Sequence, residues 1–194
     1  MASRQHIILK AALRLVRSYG PSKTTIADIA REAQVGVGTV YLEFRSKDAI
    51  LGTLSRRAHQ AILDAEVAAL EGDEPPLSAL RQAWTARFEG FVAARRQTHG
   101  PELFFCTRCS AIAEAHAHFL EQERALMSAF LRDVLHTGTP EETAGAMQRA
   151  YASYAPPLLF GSSVGPTDPS TRPSVDRLRA ELPALHALVF HGIV

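Results

Sequence analysis

The chain has few of the residues that mark an exported or membrane-embedded protein. Two cysteines occur in 194 residues, and the sequence contains no apolar run of the roughly 18 residues that a membrane span needs. The first residues, Met1 to His6, do not open an apolar stretch ending at a small-residue cleavage site. We therefore expect a cytoplasmic protein with reduced thiols, without a signal peptide and without a membrane partner.

Lysine is also scarce, and its placement is uneven. All three lysines lie in the first 60 residues, together with seven arginines and only four acidic residues. The remainder holds eleven arginines and sixteen acidic residues, so a segment of net charge +6 precedes one of −5. This pattern suggests a polyanionic partner for the N-terminal segment, although an ordinary solvated basic surface would have the same composition.

Signals for β-strands are missing. The sequence has no sustained alternation of apolar and polar residues and no Asn-Gly or Asp-Gly turn. Apolar residues instead recur at helical spacing along nearly the whole chain, and at 46 % of residues they are numerous enough for a buried core. These features predict an all-α protein of about nine helices, with an N-terminal three-helix domain over residues 1–50 and a larger helical domain over 51–194.

Glycine and proline divide the chain into helices. In the first helix an apolar stripe runs from Ile7 to Tyr19. The predicted breaks are Gly20-Pro21 after that helix, Gly72–Pro76 before the fifth, Gly100-Pro101 after the fifth, Pro156-Pro157, and a loop over 161–174 that is rich in Gly, Ser, Pro and Thr. Between 101 and 136 the pattern allows one long helix or two.

Residues 24–51 contain two short helices joined by a tight turn. Thr25 is a good N-cap for the first of them, with Asp28 three residues later. The second helix is predicted over 37–44, where Val40 and Phe44 face inward and leave Gly38, Thr39 and Tyr41 outward. This arrangement is typical of a helix-turn-helix, in which the second helix enters the major groove of DNA.

The residues of the second helix and of the start of the next one suit contact with DNA. Small residues let the helix backbone approach closely, a threonine can meet a thymine methyl, and a tyrosine hydroxyl can donate to a phosphate. Ser46 is predicted to cap the fourth helix, so Lys47 falls in its first turn, where the helix dipole disfavours a cation. A phosphate contact would explain that placement.

With these residues the segment resembles the DNA-binding domain of the TetR (tetracycline repressor) family of bacterial regulators. The resemblance covers about residues 5–55 and rests on matching residues at matching spacing: Thr24-Thr25, Asp28-Ile29-Ala30, Ala33, Val35, Gly38-Thr39-Val40-Tyr41, Phe44 and Ser46-Lys47-Asp48. It implies a ligand-binding and dimerisation domain at the C-terminus. It also implies a homodimeric transcriptional regulator, by default a repressor, that a small molecule releases from a double-stranded, palindromic DNA operator.

The resemblance also assigns roles in DNA binding. It places Thr25, Tyr41 and Lys47 at phosphate-contact positions, and Val37, Gly38 and Thr39 where bases are read. Departures from the family pattern at Gln34, Gly36, Val37, Leu42 and Glu43 affect sequence preference. An apolar Val37 after an uncapped Gly36 favours thymine-methyl or shape readout over hydrogen bonds to bases.

The larger domain contains two candidate sets of apolar residues. Aromatic residues of the middle helices could line a pocket for an apolar or aromatic effector, and the alternative for each is a filled core; they are Trp84, Phe88, Phe104, Phe105 and Phe119. An apolar stripe of the last two helices could form the dimer interface, with intramolecular core as the alternative; its members are Met147, Tyr151, Leu178, Leu182, Leu185 and Val189.

Three other functions are weighed against this one. Cys106 and Cys109, followed by His116, could make a thiol- or metal-responsive regulator, but on one helix His116 would lie about 10 Å from Cys109, too far for one zinc ion. An adaptor that has lost DNA binding is a second alternative. Motifs for phosphate loops, nucleophile elbows and zinc hydrolases are missing from the sequence, so we expect neither an enzyme nor a cofactor.

Overall fold

The computed structural model describes residues 3–95, 99–106, 108–134, 139–159 and 174–191. Within these ranges the chain forms eight α-helices, two 3₁₀ turns and no strand, which confirms the all-α class. The α-helices are α1 (Arg4–Tyr19), α2 (Ile26–Glu32), α3 (Val37–Glu43), α4 (Lys47–Leu70), α5 (Pro76–Arg95), α6 (Ser110–Val134), α7 (Pro140–Ala150) and α8 (Val175–Phe190). The predicted loop over 161–174 lies outside the described residues except for Ser174, which caps α8.

Most predicted breaks coincide with helix ends. Gly20 follows α1 with φ +82°, a conformation that glycine adopts without strain. The predicted break at Gly72–Pro76 coincides with the segment between α4 and α5. The predicted break at Gly100-Pro101 coincides with the 3₁₀ turn Gly100–Leu103. The helix that was expected to reach Pro156 ends at Ala150 instead, and a 3₁₀ turn follows over Ala152–Tyr154.

The α1 stripe is shorter than predicted. Its middle is fully buried, with Ile8, Ala11 and Val16 all 0 % exposed. At its two ends, Ile7 is 40 % and Tyr19 59 % exposed.

The chain divides into two compact units. Unit 1 consists of Met1–Gln60 and Ala93–Phe119, and unit 2 of Ala61–Val92 and Leu120–Val194. This division differs from the predicted boundary at residue 50, because Leu103, Cys109 and Ile112 belong to the same apolar cluster as Leu51 and Leu54 of α4. The first turns of α4 and the segment before α6 therefore share the core of the three N-terminal helices.

A histidine pair lies at the edge of the unit 1 core. His59 in α4 is 2 % exposed, and its Nδ1 lies 2.9 Å from the carbonyl oxygen of Ser55. Its Nε2 lies 3.1 Å from Nδ1 of His116 in α6. The ring of His59 also packs against Phe104 and Phe119, at centroid distances of 5.0 and 4.9 Å. These contacts bind α4, the segment before α6 and the first half of α6 to one another.

A chain of hydrogen bonds runs from the core of unit 2 to the exposed side of α5. The Tyr151 hydroxyl donates to Nδ1 of His186 (2.6 Å), and Nε2 of His186 donates to Oγ1 of Thr85 (3.2 Å). The Thr85 hydroxyl donates in turn to the carbonyl oxygen of Arg81 (2.7 Å). Both nitrogens of this buried imidazole are therefore satisfied while the ring is neutral.

The neutral state of His186 predicts a loss of stability in mild acid. Burial, and then the positive charge of Arg81, lower the pKa of His186 from its ordinary 6.5 to about 4. Below pH 6.5, His186 is protonated in the unfolded chain but stays neutral in the folded chain. The free energy of unfolding therefore falls as the pH drops toward 4, by roughly 3 kcal/mol at full effect. Urea unfolding between pH 7.5 and 4.5 measures this slope.

Two variants isolate the contribution of His186. His186→Gln keeps a donor and an acceptor without titrating, so we expect a shallower loss of stability with acid. The exposed His191 provides the matched control, and His191→Gln is expected to leave the slope unchanged. If the free energy of unfolding fell with pH as steeply in His186→Gln as in the parent protein, the result would contradict this prediction.

None of the helices formed by the described residues is long and apolar enough to cross a bilayer.

Candidate DNA-binding surface

The turn between α2 and α3 is held by backbone hydrogen bonds. The N–H of Val35 donates to the carbonyl of Ala30 (3.0 Å), and the N–H of Gln34 donates to that of Arg31 (3.1 Å). These two bonds form a Schellman motif, which places Gln34 in the left-handed region with φ +56°. Glycine favours that region, so the departure at Gln34 carries a local strain that the packed helix pair sustains.

The start of α2 forms a capping box between the predicted N-cap Thr25 and Asp28. Thr25 Oγ1 accepts from the N–H of Asp28 (3.1 Å), and Oδ2 of Asp28 accepts from the N–H of Thr25 (3.3 Å). The Thr25 hydroxyl also donates to Oδ2 of Asp28 (2.6 Å). These bonds hold the pKa of Asp28 below its usual range, and the bond from the Thr25 hydroxyl has the largest effect. A phosphate contact by Thr25 would require its hydroxyl proton to leave Asp28.

The third helix has the predicted inner and outer faces. Val40 is 0 % and Phe44 8 % exposed, so these two residues fasten α3 to the core. On the outer side, Val37 is 44 % and Tyr41 54 % exposed. Gly38 is exposed as well, and Thr39 is half-buried. The predicted base-reading and phosphate-contacting residues of α3 thus lie on the side turned away from the core.

Gly38 is not required by its own fold. A Cβ built on Gly38 meets no atom within 4 Å, and its φ does not lie in the left-handed region. Because an alanine would fit there and would favour the helix, the absence of a side chain has no explanation within the protein. It is explained if another molecule approaches the backbone of α3 at this point.

Lys47 has a structural role that sequence reasoning missed. Its Nζ donates to the carbonyl oxygen of Pro21 (3.1 Å), which fastens the start of α4 to the segment between α1 and α2. This bond accounts for the cation at a helix start without DNA. Two of the three ammonium protons remain for other acceptors, so Lys47 stays a predicted phosphate contact. Ser46 caps α4 as expected, because its Oγ accepts from the N–H of Ala49 (3.1 Å).

Two further exposed residues adjoin the predicted ones. Leu42 of α3 is 83 % exposed, and Arg45 is exposed in the short segment before α4. Sequence reasoning noted Leu42 only as a departure from the family and did not select Arg45. The signal was available, since Leu42 lies one residue past Tyr41 and off the Val40–Phe44 face, and an arginine next to a recognition helix suits a phosphate.

The aromatic residues predicted to line a pocket fall into both units. Trp84 and Phe88 belong to unit 2, where Trp84 stacks on Tyr151 at 4.3 Å and Phe88 packs against Tyr154 at 5.6 Å. Phe104, Phe105 and Phe119 belong to unit 1, where the first and the last pack on His59. Four of the five are buried, and Phe105 is half-buried; their pocket role stays a prediction.

The predicted interface stripe requires a correction. Met147, Tyr151, Leu178 and Leu182 are each 1–4 % exposed in the single chain, so they form the core of unit 2 and offer no surface to a partner. Amphipathic spacing alone could not distinguish residues of the intramolecular core from residues of a dimer interface. Leu185 and Val189 are half-buried, and Leu188, which was not selected, is 78 % exposed.

The cysteines lie before α6 and not on it. Cys106 is half-buried and Cys109 is buried, and burial raises the pKa of the Cys109 thiol, which disfavours the reactive thiolate. His116 contacts His59 across unit 1. In the described ranges no three His, Cys, Asp or Glu side chains are grouped so that they could hold a metal ion.

Comparison with known proteins identifies relatives of this arrangement. Residues 8–54 match the family described as "Bacterial regulatory proteins, tetR family". The HTH-type transcriptional regulator AcrR of Shigella flexneri is 32 % identical over 115 residues, which cover 58 % of this chain and 52 % of AcrR. The chain thus matches only about half the length of this curated relative.

Solved structures show the same fold over nearly the whole chain. The fatty acid degradation regulator FadR from Bacillus halodurans has a TM-score of 0.64 at 15 % identity, over 97 % of this chain and 95 % of that one. SmeT in complex with triclosan has a TM-score of 0.67 at 18 % identity, over 96 % and 91 %. At these identities the likeness establishes the fold alone.

Proposed function

We propose that this chain, whose residues 8–54 match the family described as "Bacterial regulatory proteins, tetR family", is a ligand-responsive transcriptional regulator. In this proposal two copies bind a palindromic DNA operator through α3, and a small molecule bound by the remaining helices releases them. The observation that carries the proposal is the outer face of α3, where Gly38 leaves open space between exposed Val37 and Tyr41.

The residues predicted to touch DNA divide into two kinds of contact. Val37, Gly38 and Thr39 lie in the first turn of α3, the part of a recognition helix that reaches base edges. Tyr41 and Lys47 are hydrogen-bond donors suited to phosphate oxygens. Because Gly36 provides no side-chain cap and Val37 is apolar, base readout relies on thymine methyl groups and DNA shape more than on hydrogen bonds.

Dimerisation would use the apolar residues of α8 that are not fully buried in the single chain, namely the exposed Leu188 and the half-buried Leu185 and Val189. Leu185, Leu188 and Val189 are three and four residues apart, so they share one face of the helix. A single α3 makes few base contacts, and a two-fold pair doubles them on a site with matching symmetry. This pairing supports repression by occupation of an operator.

The effector site is proposed for the helices that follow the DNA-binding segment. The SmeT structure contains triclosan, so a protein of this fold binds a small aromatic molecule. In the present chain, the predicted pocket residues Trp84 and Phe88 are buried within unit 2, and a ligand bound there would contact their rings. A ligand that favours one dimer geometry over another would change DNA affinity roughly 5- to 150-fold through about 1–3 kcal/mol of coupling.

Selection from random double-stranded DNA tests the proposal. We expect the purified protein to enrich a near-palindrome whose half-sites lie about one helical turn (~34 Å) apart. Affinity for that site should fall steeply with salt, since each neutralised phosphate adds about 0.9 to the slope of log K against log salt. A scrambled site of equal length is the control.

A failure to enrich any site, with the protein folded and dimeric, would contradict operator binding and favour the adaptor alternative. Enrichment of a single half-site by a monomer would contradict the proposed pairing through α8.

A further inference from the structure

The face of α3 opposite the core carries no hydrogen-bonding side chain. Gly38 and Leu42 are four residues apart, so they lie on one face of this helix, which we call the outer ridge. Val40, midway between them, points about 200° away from both and is 0 % exposed. The part of α3 that projects furthest from the core therefore consists of bare backbone and one apolar side chain.

Leu42 is not explained by packing within the chain. Its side chain is 83 % exposed, more than that of Val37 (44 %) or Tyr41 (54 %) on the same helix. A side chain this exposed gains little stability from burial. The position one turn earlier is open as well, since a Cβ on Gly38 would meet no atom within 4 Å. Leu42 thus projects alone from the outer ridge, available to another molecule.

The hydroxyl groups of α3 lie on the two flanks of the outer ridge. Successive residues of a helix are about 100° apart. Thr39 follows Gly38 and Tyr41 precedes Leu42, so their hydroxyl groups lie on opposite sides of the ridge. When a helix occupies the major groove, its outermost ridge faces the base edges and its flanks face the two sugar-phosphate backbones. The ridge is thus the part of α3 nearest to the bases.

The charge around the outer ridge identifies DNA as its partner. Arg45 is exposed in the segment that follows α3, and the half-buried Lys47 begins α4. The first 60 residues together have a net charge of +6. An apolar projection surrounded by positive charge complements a surface whose walls are anionic and whose floor carries apolar groups. The major groove of double-stranded DNA has this composition, with phosphates on both sides and methyl groups on its floor.

The chemistry of the base edges determines what a leucine can recognise. The apolar substituent in the major groove is the C5-methyl group of thymine, and the other distinguishing groups are hydrogen-bond donors or acceptors. A leucine side chain has neither a donor nor an acceptor, so it does not distinguish the C4 oxygen of thymine from the C4 amino group of cytosine. Since 5-methylcytosine carries a methyl group at the same ring position as thymine, the two bases present the same apolar contact to Leu42.

We propose that Leu42 reads the C5-methyl group of a pyrimidine and not the hydrogen-bonding edge of the base, so that 5-methylcytosine can replace thymine in the operator. The inference rests on the proposed function, and it makes Leu42 a specificity-determining residue of α3. An operator with cytosine at this position is then bound tightly only when that cytosine is methylated. Cytosine methylation thus becomes a second input to the regulator, acting on the DNA and independent of the effector.

Modified operators test this inference directly. In the operator selected from random DNA, each thymine is replaced by deoxyuridine, which lacks only the methyl group, at equivalent positions of both half-sites. The most sensitive position is then prepared with thymine, uracil, 5-methylcytosine or cytosine, each opposite its complementary purine, and affinity is measured by fluorescence anisotropy. We expect loss of the methyl group to weaken binding about fourfold per half-site, and about fifteenfold for both, within the thymine–uracil pair and within the 5-methylcytosine–cytosine pair alike.

The Leu42→Ala variant assigns the methyl preference to one side chain. Alanine removes most of the apolar surface and favours the helix, so the fold is expected to be retained. In this variant we expect the methyl group to change affinity by less than about threefold in both pairs of bases. Leu158→Ala, which truncates a 58 % exposed leucine of unit 2, is the matched control and should keep the full preference. Circular dichroism and urea unfolding of both variants verify the fold.

The outcomes separate this inference from the proposed function. A methyl effect that occurs with thymine but not with 5-methylcytosine overturns the inference, and so does a methyl effect that survives in Leu42→Ala. An operator in which no thymine is sensitive to loss of its methyl group overturns it as well. In these three cases the unmodified operator is still bound, so the proposed function stands. Failure to bind any operator counts against the proposed function, and the inference falls with it.

Discussion

Replacement of Gly38 by alanine is expected to stabilise the protein and to weaken operator binding about a hundredfold. Alanine in a helix is favoured over glycine by about 0.5–1 kcal/mol, and a Cβ at position 38 meets no atom of the protein. The substitution is therefore expected to raise the free energy of unfolding. DNA binding loses, because the new methyl group occupies the space through which the backbone of α3 would approach the base edges.

The magnitude follows from the two-fold arrangement. A loss of about 1.4 kcal/mol per recognition helix is tenfold in affinity, and two helices in a dimer give about a hundredfold. Fluorescence anisotropy with the selected operator measures the affinity, and urea unfolding measures the stability. A higher free energy of unfolding together with a lower affinity for the operator is the distinctive result.

Gly72→Ala is the matched control for this experiment. Gly72 is exposed after α4, and a Cβ there makes only ordinary contacts, at 3.6 and 3.8 Å, with backbone oxygens. Operator affinity should be unchanged by that substitution. If Gly38→Ala were as harmless to DNA binding as Gly72→Ala, α3 would not be the element that enters the groove.

Replacement of Arg87 by methionine is expected to destabilise the protein by about 3–5 kcal/mol. Arg87 is 2 % and Glu123 0 % exposed, and the two form an ion pair inside unit 2. Methionine fills much of the volume of the arginine stem but leaves the Glu123 carboxylate without its cation. The same change also removes the contacts of the guanidinium with the rings of Trp84 and Phe91.

An exposed ion pair of the same composition provides the comparison. Arg132 and Glu141 form a bond of 2.8 Å with both side chains 61 % exposed. Arg132→Met should cost less than about 1 kcal/mol, because water already solvates both charges. Chemical denaturation of both variants at pH 7 measures the difference, and equal losses at the two positions would show that burial of the Arg87 pair does not determine its strength.

The DNA-binding segment could be predicted from the sequence because its signals are local. The capping box joins Thr25 to Asp28, three residues apart, and the inward positions Val40 and Phe44 are four apart. Such spacings can be recognised without knowledge of the fold. The unusual Gln34 was visible as a departure, and the structure shows the left-handed backbone behind it.

The interior of unit 2 could not be predicted in the same way. Arg87 meets Glu123 over 36 residues, and Tyr151 meets His186 over 35. No pattern of composition or periodicity encodes which of many charged or aromatic residues will meet. For the same reason the stripe of α7 and α8 was assigned to a partner copy, although its members Met147 and Leu178 fill the core of their own chain.

The early end of α7 shows a limit of proline as a signal. Proline disfavours helix at the residue before it, so Pro156 set an upper bound near residue 155 for the end of this helix. The backbone leaves the α-helix at Ala150 and forms a 3₁₀ turn through Tyr154. Packing of Tyr151 on Trp84 and of Tyr154 on Phe88 accompanies this change of pitch, since both tyrosine rings then lie against α5.

The contact between His59 and His116 determines where the protons of both rings reside. A carbonyl oxygen only accepts, so Nδ1 of His59 carries a hydrogen toward Ser55. In the neutral pair, Nε2 of His59 therefore accepts, and the hydrogen between the rings belongs to Nδ1 of His116. The bond between α4 and α6 therefore has a fixed direction in the neutral pair, with the ring of His116 as the donor and the ring of His59 as the acceptor.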